Sequence, residues 1–371
     1  MKILFLCYSL EIGGLETYML RFSRWLVNKH TEHQLHVACK SGQFGSYESE
    51  FRKLGVVIHS MPMGYLNPIP YFRFHRFLMS EQYDTICDFT GDFGALPILV
   101  SYLSNIRNRL VFYRSACDSY KPTRSKLLYQ RLLNHIVRSL CTHVLSNSQA
   151  AFDNYFKDYH VVDDCRFQLI RNGIPRRTAL SSYKKEMVRS SLGILPGQKV
   201  VLHVGSGRWE KNHACMLKIA KIAQDKDDNV CFCFAGRGVE EKHGLLASQL
   251  GLGNVRFLGE RSDVDNLLQI ADFFLFPSLS EGQPNALLEA MSCGVPFIAS
   301  NIAPILESLP SGWDDCWLIP PDAPEQGYSL LKEHMNNNYR EEPNFKSLVE
   351  WCNDVYCEDR CFGFFLETLT T

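Results

Sequence analysis

The sequence lacks the marks of several protein classes. No window offers the roughly 18 apolar residues that cross a bilayer, so no membrane-spanning segment is expected. Lys2 followed by Ile3–Leu10 has the outline of a short signal peptide. Glu11 cuts that apolar run and no small-residue cleavage site follows, so a first buried strand is expected instead. The 14 cysteines show neither a CxxC pair nor regular spacing. Free thiols in a reducing cytoplasm are therefore expected, rather than a disulfide framework or a zinc site. No GxGxxG is complete and no clean ribose-binding acid is placed for a dinucleotide. Internal repeats and low-complexity tracts are missing, and a net charge of -1 shows no excess of either sign. No nucleic-acid partner is expected.

What is present describes a folded chain of about two domains, because 371 residues exceed the roughly 250 to 300 at which one core stops growing. The near-neutral total hides an asymmetry: residues 1–200 hold 26 Lys+Arg against 15 Asp+Glu, and residues 201–371 hold 13 against 25. The basic half, densest over 101–150 where only Asp118 opposes eight cations, suits either an anionic partner or plain solvation.

Apolar runs of strand length alternate with amphipathic segments from Ile3–Tyr8 and Thr17–Val27 onward, the βαβα rhythm of a parallel sheet covered by helices. Over 126–140, Leu128, Leu132, Leu133, Ile136 and Leu140 form one helical stripe with Lys126, Arg131 and Arg138 elsewhere. That pattern fits a sheet-covering helix or one lying on a membrane surface. The strand signal lapses over 179–198, which predicts a linker between a first α/β domain (1–178) and a second (199–345). Residues 346–371 read as a helical segment able to cross back to the first domain.

Parallel sheets bind ligands at the carboxyl ends of their strands. Gly13 and Gly14 follow the first strand, Gly205 and Gly207 the first strand of the second half, and Gly236 and Gly238 the next. Each pair fits a backbone approach to an anion or a tight turn alone. A fuller constellation runs over 280–296. Pro284 suits the first position of a helix that Gly294 and Pro296 close. The free amides at Asn285, Ala286 and Leu287 can hold a phosphate, while Glu281 and Glu289 offer carboxylates to vicinal hydroxyls. Phosphate plus hydroxyls points to a sugar nucleotide. Lys211 and Arg208, in the loop after Gly205, can neutralise a diphosphate or remain solvated.

The pattern resembles family 4 of the nucleotide-sugar glycosyltransferases, through Gly13-Gly14-Leu15-Glu16, Asn172-Gly173-Ile174, Gly205 with Lys211-Asn212-His213, Phe257-Leu258-Gly259, and Glu281-Gly282 with Glu289-Ala290. The resemblance implies a GT-B fold of two Rossmann-like, doubly wound parallel-sheet domains facing a central cleft. It also implies a retaining enzyme that moves a sugar from a UDP- or GDP-sugar to a glycan or lipid-linked saccharide, as in cell-surface polysaccharide or lipopolysaccharide synthesis. Glu289 would bind the ribose diol, Glu281 the transferred sugar, and the amides after Gly282, from Gln283 and past Pro284 into the helix, the diphosphate. Lys211 would stabilise the leaving diphosphate, and Gly13 and Gly14 would close on it from the other domain. No metal or other cofactor is implied, and the expected location is the cytoplasm, peripheral on the membrane face.

Several positions depart from the family pattern. Ser206 stands where an arginine is usual, with Arg208 two residues on, and Val111–Asp118 lacks a common histidine, leaving Arg114 as its occupant. Asp263-Val264-Asp265 has the spacing of a DxD metal motif but opens a helix, where capping is expected. Ala303-Pro304 replaces a glycine-rich turn before Glu307. The alternatives are a nucleotide-sugar epimerase or phosphorylase of the same fold, or a non-catalytic sugar-nucleotide-binding partner.

Overall fold

The computed structural model describes residues 1–64, 67–114, 124–157 (backbone alone at 124–127), 164–313, 317–337 and 339–371. The chain divides into two compact units, Met1–Gly173 with Glu358–Thr371, and Ile174–Cys357.

The first unit runs β1 (Lys2–Cys7), α1 (Gly14–Lys29), β2 (Gln34–Cys39), α2 (Glu48–Lys53), β3 (Val57–Ser60), α3 (Pro68–Glu81), β4 (Thr85–Asp88), α4 (Ala95–Leu103), β5 (Asn108–Tyr113), α5 (Arg124–Leu140), β6 (His143–Ser146), α6 (Gln149–Tyr155) and β7 (Phe167–Leu169). Its strands are all parallel, in the order β3-β2-β1-β4-β5-β6-β7. A strand buried on both faces reads as an unbroken apolar run, which is why Ile3 to Cys7 shows no polar alternation. Ile3, Phe5 and Cys7 join a core with Phe22 of α1, whereas Leu4 and Leu6 face Phe74 and Leu78 of α3.

The second unit runs α7 (Ser182–Ser191), β8 (Lys199–Val204), α8 (His213–Asp225), β9 (Val230–Ala235), α9 (Val239–Gln249), β10 (Val255–Gly259), α10 (Val264–Ile270), β11 (Phe273–Phe276), α11 (Asn285–Ser292), β12 (Phe297–Ser300), α12 (Ala303–Leu306), β13 (Leu318–Ile319), α13 (Pro324–Asn336) and α14 (Pro343–Val355). Its parallel order, β10-β9-β8-β11-β12-β13, repeats the doubly wound plan of the first. The order reverses beside β8 in this unit and beside β1 in the first, which gathers the loops after those strands and after their neighbours β11 and β4.

The chain then re-enters the first unit as α15 (Glu358–Thr370). Phe362, Phe365 and Leu369 of α15 are fully buried against α1 and the sheet, each contributing about 1.5–3 kcal/mol. Thr85 Oγ1 donates to the Leu369 carbonyl at 2.7 Å.

Two expected boundaries differ. The segment 179–198 is not a connector: Ser181 caps α7 through the Lys184 amide, α7 packs on α10, and both belong to the second unit. Its polarity reflects a solvent-facing helix with no fully buried residue. The terminal segment divides between the units, α14 packing on α11 in the second and α15 joining the first. No helix among the described residues is long and apolar enough to cross a membrane. The described cysteines are free, with Cys231 and Cys233 on one face of β9, sulfurs 3.9 Å apart.

Candidate functional site

In the second unit, the adjacency of β8 and β11 brings together two motifs 70 residues apart in sequence. Lys211 Nζ donates to Glu281 Oε1 at 2.6 Å, with the lysine side chain 21% and the glutamate side chain 9% exposed. Lys211 ends a 3-10 turn, Trp209–Lys211, that follows Gly205 and Arg208. Asn212, in the left-handed region at φ 56, fixes that turn by donating to the carbonyls of Pro277 (3.0 Å) and Pro321 (2.8 Å). The Leu279 amide donates to the Glu210 carbonyl at 2.8 Å, so the basic loop and the acidic loop are stitched through backbone as well as charge.

Arg208 is not drawn into this pair. Its exposed guanidinium turns to Glu210, at 2.5 Å. That partner holds the Glu210 carboxyl below its usual range against the opposing effect of burial.

The glycine pairs of this unit have a packing cause. A Cβ on Gly207 would lie 2.1 Å from the Gly238 carbonyl oxygen, and one on Gly236 would lie 1.9 Å from that of Gly205. The loops after β8 and β9 therefore touch backbone to backbone, joined by Gly205 N–H to Ala235 O and Gly207 N–H to Arg237 O, both 2.9 Å. Only glycine fits so close an approach.

Glu281 and Gly282 lead through buried Gln283 to α11. The helix starts at Asn285, so Pro284 occupies the cap rather than the first helical position and provides no side-chain cap. The Asn285 amide, expected to be free, donates to the Gln283 carbonyl at 2.9 Å, whereas the amides of Ala286 and Leu287 belong to the first turn, where no intrahelical acceptor exists. The Leu287 side chain itself is core, fully buried.

Glu289, with its side chain 12% exposed, meets a residue the motifs do not reveal, Arg177. Arg177 NH2 lies 3.5 Å from Glu289 Oε2, its NH1 donates to the Glu289 carbonyl (3.3 Å) and Ser292 Oγ (3.1 Å), and its Nε donates to Asp265 Oδ1 at 2.5 Å. Burial alone would lower its pKa, but Glu289, Cys293 and Asp265 outweigh that and raise it. Asp265 is thus half of an ion pair. Asp263 stands at the cap position of α10 with no side-chain cap bond, because its carboxylate grips Arg261 Nε and NH2, both at 2.8 Å.

In the first unit, Gly13 caps α1 and Gly14 opens it, with no side-chain cap bond. A Cβ on Gly14 would meet nothing within 4 Å and one on Gly13 would lie 2.5 Å from Glu16 Oε2, the end of a flexible side chain, so this loop is not locked backbone to backbone as the loops of the second unit are. Burial raises the pKa of Glu16 in the first turn of α1, while Arg114 opposes the shift. Arg114, just past β5, lies 4.1 Å above the Tyr18 ring and 4.9 Å from that of Phe112, and donates to Asn172 Oδ1 at 2.7 Å. Burial pushes it down to about 10, resisted by Tyr18 and Glu16. The first loop, Arg114 and Asn172 therefore converge at the carboxyl edge of one sheet. Residues 115–118 lie outside the described residues, as does the Lys126 side chain.

A second lysine–carboxylate pair lies at the same edge. Lys40, past β2, gives Nζ to Asp88 Oδ2 (2.8 Å) and Oδ1 (3.1 Å), Thr90 Oγ1 (2.5 Å) and the Phe93 carbonyl (3.2 Å), with side-chain exposures of 7% and 0%.

Two family descriptions match the chain, Glycosyltransferase Family 4 over residues 12–177 and Glycosyl transferases group 1 over residues 184–346. The capsular polysaccharide biosynthesis glycosyltransferase CapH of Staphylococcus aureus is 25% identical over 308 residues, 81% of each chain. The Escherichia coli UDP-Gal:alpha-D-GlcNAc-diphosphoundecaprenol alpha-1,3-galactosyltransferase is 27% identical over 240 residues, 62% of this chain and 60% of that one. A crystal structure of Anabaena Alr3699/HepE in complex with UDP matches over the full length of both chains, with a TM-score of 0.83 at 16% identity, a likeness of fold. Matched in both halves and related to enzymes of polysaccharide and lipid-linked sugar synthesis, this GT-B chain belongs to the group 1 glycosyltransferases of family 4.

Proposed function

We propose that the chain is a retaining glycosyltransferase that takes its sugar from a UDP- or GDP-sugar and delivers it to a glycan or lipid-linked saccharide. The observation that carries this reading is the Lys211–Glu281 pair beside the uncapped start of α11. UDP is favoured over GDP because Alr3699/HepE is bound to UDP and the Escherichia coli relative is named for UDP-Gal.

In this mechanism the amides of Ala286 and Leu287 and the Lys211 ammonium take the diphosphate. Glu289 accepts hydrogen bonds from the ribose diol, and Glu281 exchanges Lys211 for hydroxyls of the transferred sugar. The bond from the anomeric carbon to the diphosphate oxygen breaks, and its electron pair stays on that oxygen. Lys211 and the amides stabilise the growing charge. An acceptor hydroxyl attacks from the same face and passes its proton to the leaving oxygen, so no protein nucleophile enters. No step requires a metal.

The working location proposed is the cytoplasmic membrane face. The first unit supports it: α4 packs between α3 and α5, and together they expose Ile69, Phe72, Leu103, Leu128 and Leu132 beside exposed Arg73 and Arg131. Apolar groups among arginines suit an anionic lipid surface.

Binding of UDP, GDP and their sugars by calorimetry, followed by product analysis with crude lipid acceptors, tests the reading. Absence of affinity for every nucleoside diphosphate would overturn it. Turnover without acceptor, or only with inorganic phosphate, would instead identify an epimerase or phosphorylase.

A further inference from the structure

We propose that Arg177 is a positioning residue for the donor's ribose, holding the Glu289 carboxylate in the orientation that accepts the sugar's vicinal hydroxyls. The inference rests on the nucleotide-sugar reading above and adds to it a residue outside the motifs that carry that reading.

A glutamate has three rotatable side-chain bonds, and a carboxylate only 12% exposed loses most of its hydration. Arg177, its side chain 7% exposed, meets both problems with one planar group. NH2 faces Glu289 Oε2 at 3.5 Å, and NH1 is bonded to the Glu289 carbonyl and Ser292 Oγ, so the guanidinium is referenced to the backbone of the helix whose side chain it steers. Nε is held by Asp265 Oδ1 at 2.5 Å on α10, which stops the fork from turning away. An ionised carboxylate offers about four lone-pair sites, more than one guanidinium group fills. This also gives a task to Asp265, the second acid of the DxD-like triplet, which supports Arg177 from its exposed end.

A purely structural role is the competing account, because a cation near the carbonyls of a short helix stabilises it anyway. The two accounts differ in one observable: a staple affects stability and all ligands alike, whereas a positioning residue affects the energy assigned to the ribose hydroxyls.

The experiment measures dissociation constants of the full chain for UDP and 2′-deoxy-UDP, with the GDP pair in parallel, and records thermal midpoints. Wild type is expected to prefer the ribonucleotide by roughly ten- to hundredfold, the range of hydrogen bonds to a charged acceptor. Arg177→Ala should bring that ratio close to one, as should Glu289→Gln, and the double variant should fall no further. Arg177→Lys, which keeps charge but loses the fork, should retain an intermediate ratio. If Arg177→Ala does not fold, Arg177→Lys and Asp265→Asn still decide the matter, since both should narrow the ratio. A wild-type ratio preserved in the folded variants, or equal weakening of both nucleotides, overturns the inference. Wild type binding neither nucleotide pair sinks the donor reading itself. Wild type binding both equally removes the ribose role of Glu289, and that of Arg177 with it.

Discussion

The two units each place a lysine against a carboxylate at the carboxyl edge of a parallel sheet, and the two pairs are built for different tasks. Lys40 is enclosed, its ammonium shared among both oxygens of Asp88, Thr90 and the Phe93 carbonyl, so no donor is left over for a ligand. Lys211 has Glu281 and the face of Phe276 at 5.0 Å, and its side chain remains 21% exposed. Pairing is common to both, so it identifies neither as a site. Residual exposure and unfilled bonding capacity separate a charge that braces a loop from one that can change partners.

Removing each lysine should have opposite consequences. Lys40→Ala leaves Asp88 charged and enclosed, and should cost about 3–5 kcal/mol. Urea unfolding followed by Trp25, the first unit's single tryptophan, would show it. A loss below 1 kcal/mol would mean that water reaches Asp88.

Lys211→Ala should lower kcat by about 10²–10³-fold with little change in melting, as for loss of one stabilising group aimed at a leaving anion. Glu281→Ala should also reduce turnover. Wild-type rates in both would end the site assignment.

The glycine loops give the next contrast. Gly236→Ala forces a methyl against a carbonyl and should cost about 1–3 kcal/mol, whereas Gly14→Ala, in open space at a helix start, should stay within about 0.5 kcal/mol in melts of the two variants.

The buried histidines of the two units also differ. In the first unit buried His36 is hydrogen-bonded to Tyr83 (2.8 Å) and His59 (3.1 Å), while in the second His213 has neither nitrogen bonded. Burial, with His243 beside it, holds His213 down to about 3. The unfolded ring takes up its proton near pH 6.5, so the contribution is complete above that value. It falls as pH drops towards 3, at up to about 1.4 kcal/mol per pH unit. His213→Phe should flatten that slope in urea titrations at pH 7 and 5, without loss of stability at pH 7.

Elements with a strong apolar period are legible in the sequence, including all the strands from β1 to β12. α3 and α7 are not. In α3, Pro68 and Pro70 interrupt the helical period and only Phe74 and Leu78 are buried, too few to mark a stripe. α7 buries nothing fully and so reads as a connector. Among site residues, Glu281, Glu289 and Lys211 stood out through spacing. Arg177 did not, because its partners Asp265 and Glu289 lie 88 and 112 positions away and no local pattern encodes them.

The α/β class, the alternation of strands and helices, the family and the order of its motifs are all written in near-neighbour spacing. Which charges are spent on one another is settled in the folded chain. Asp263 and Asp265 became partners of arginines, Arg208 turned to Glu210, and the terminal segment divided between two units. Those outcomes depend on burial and on distances between residues far apart in the chain, because the strength of a charge pair is set by what surrounds it.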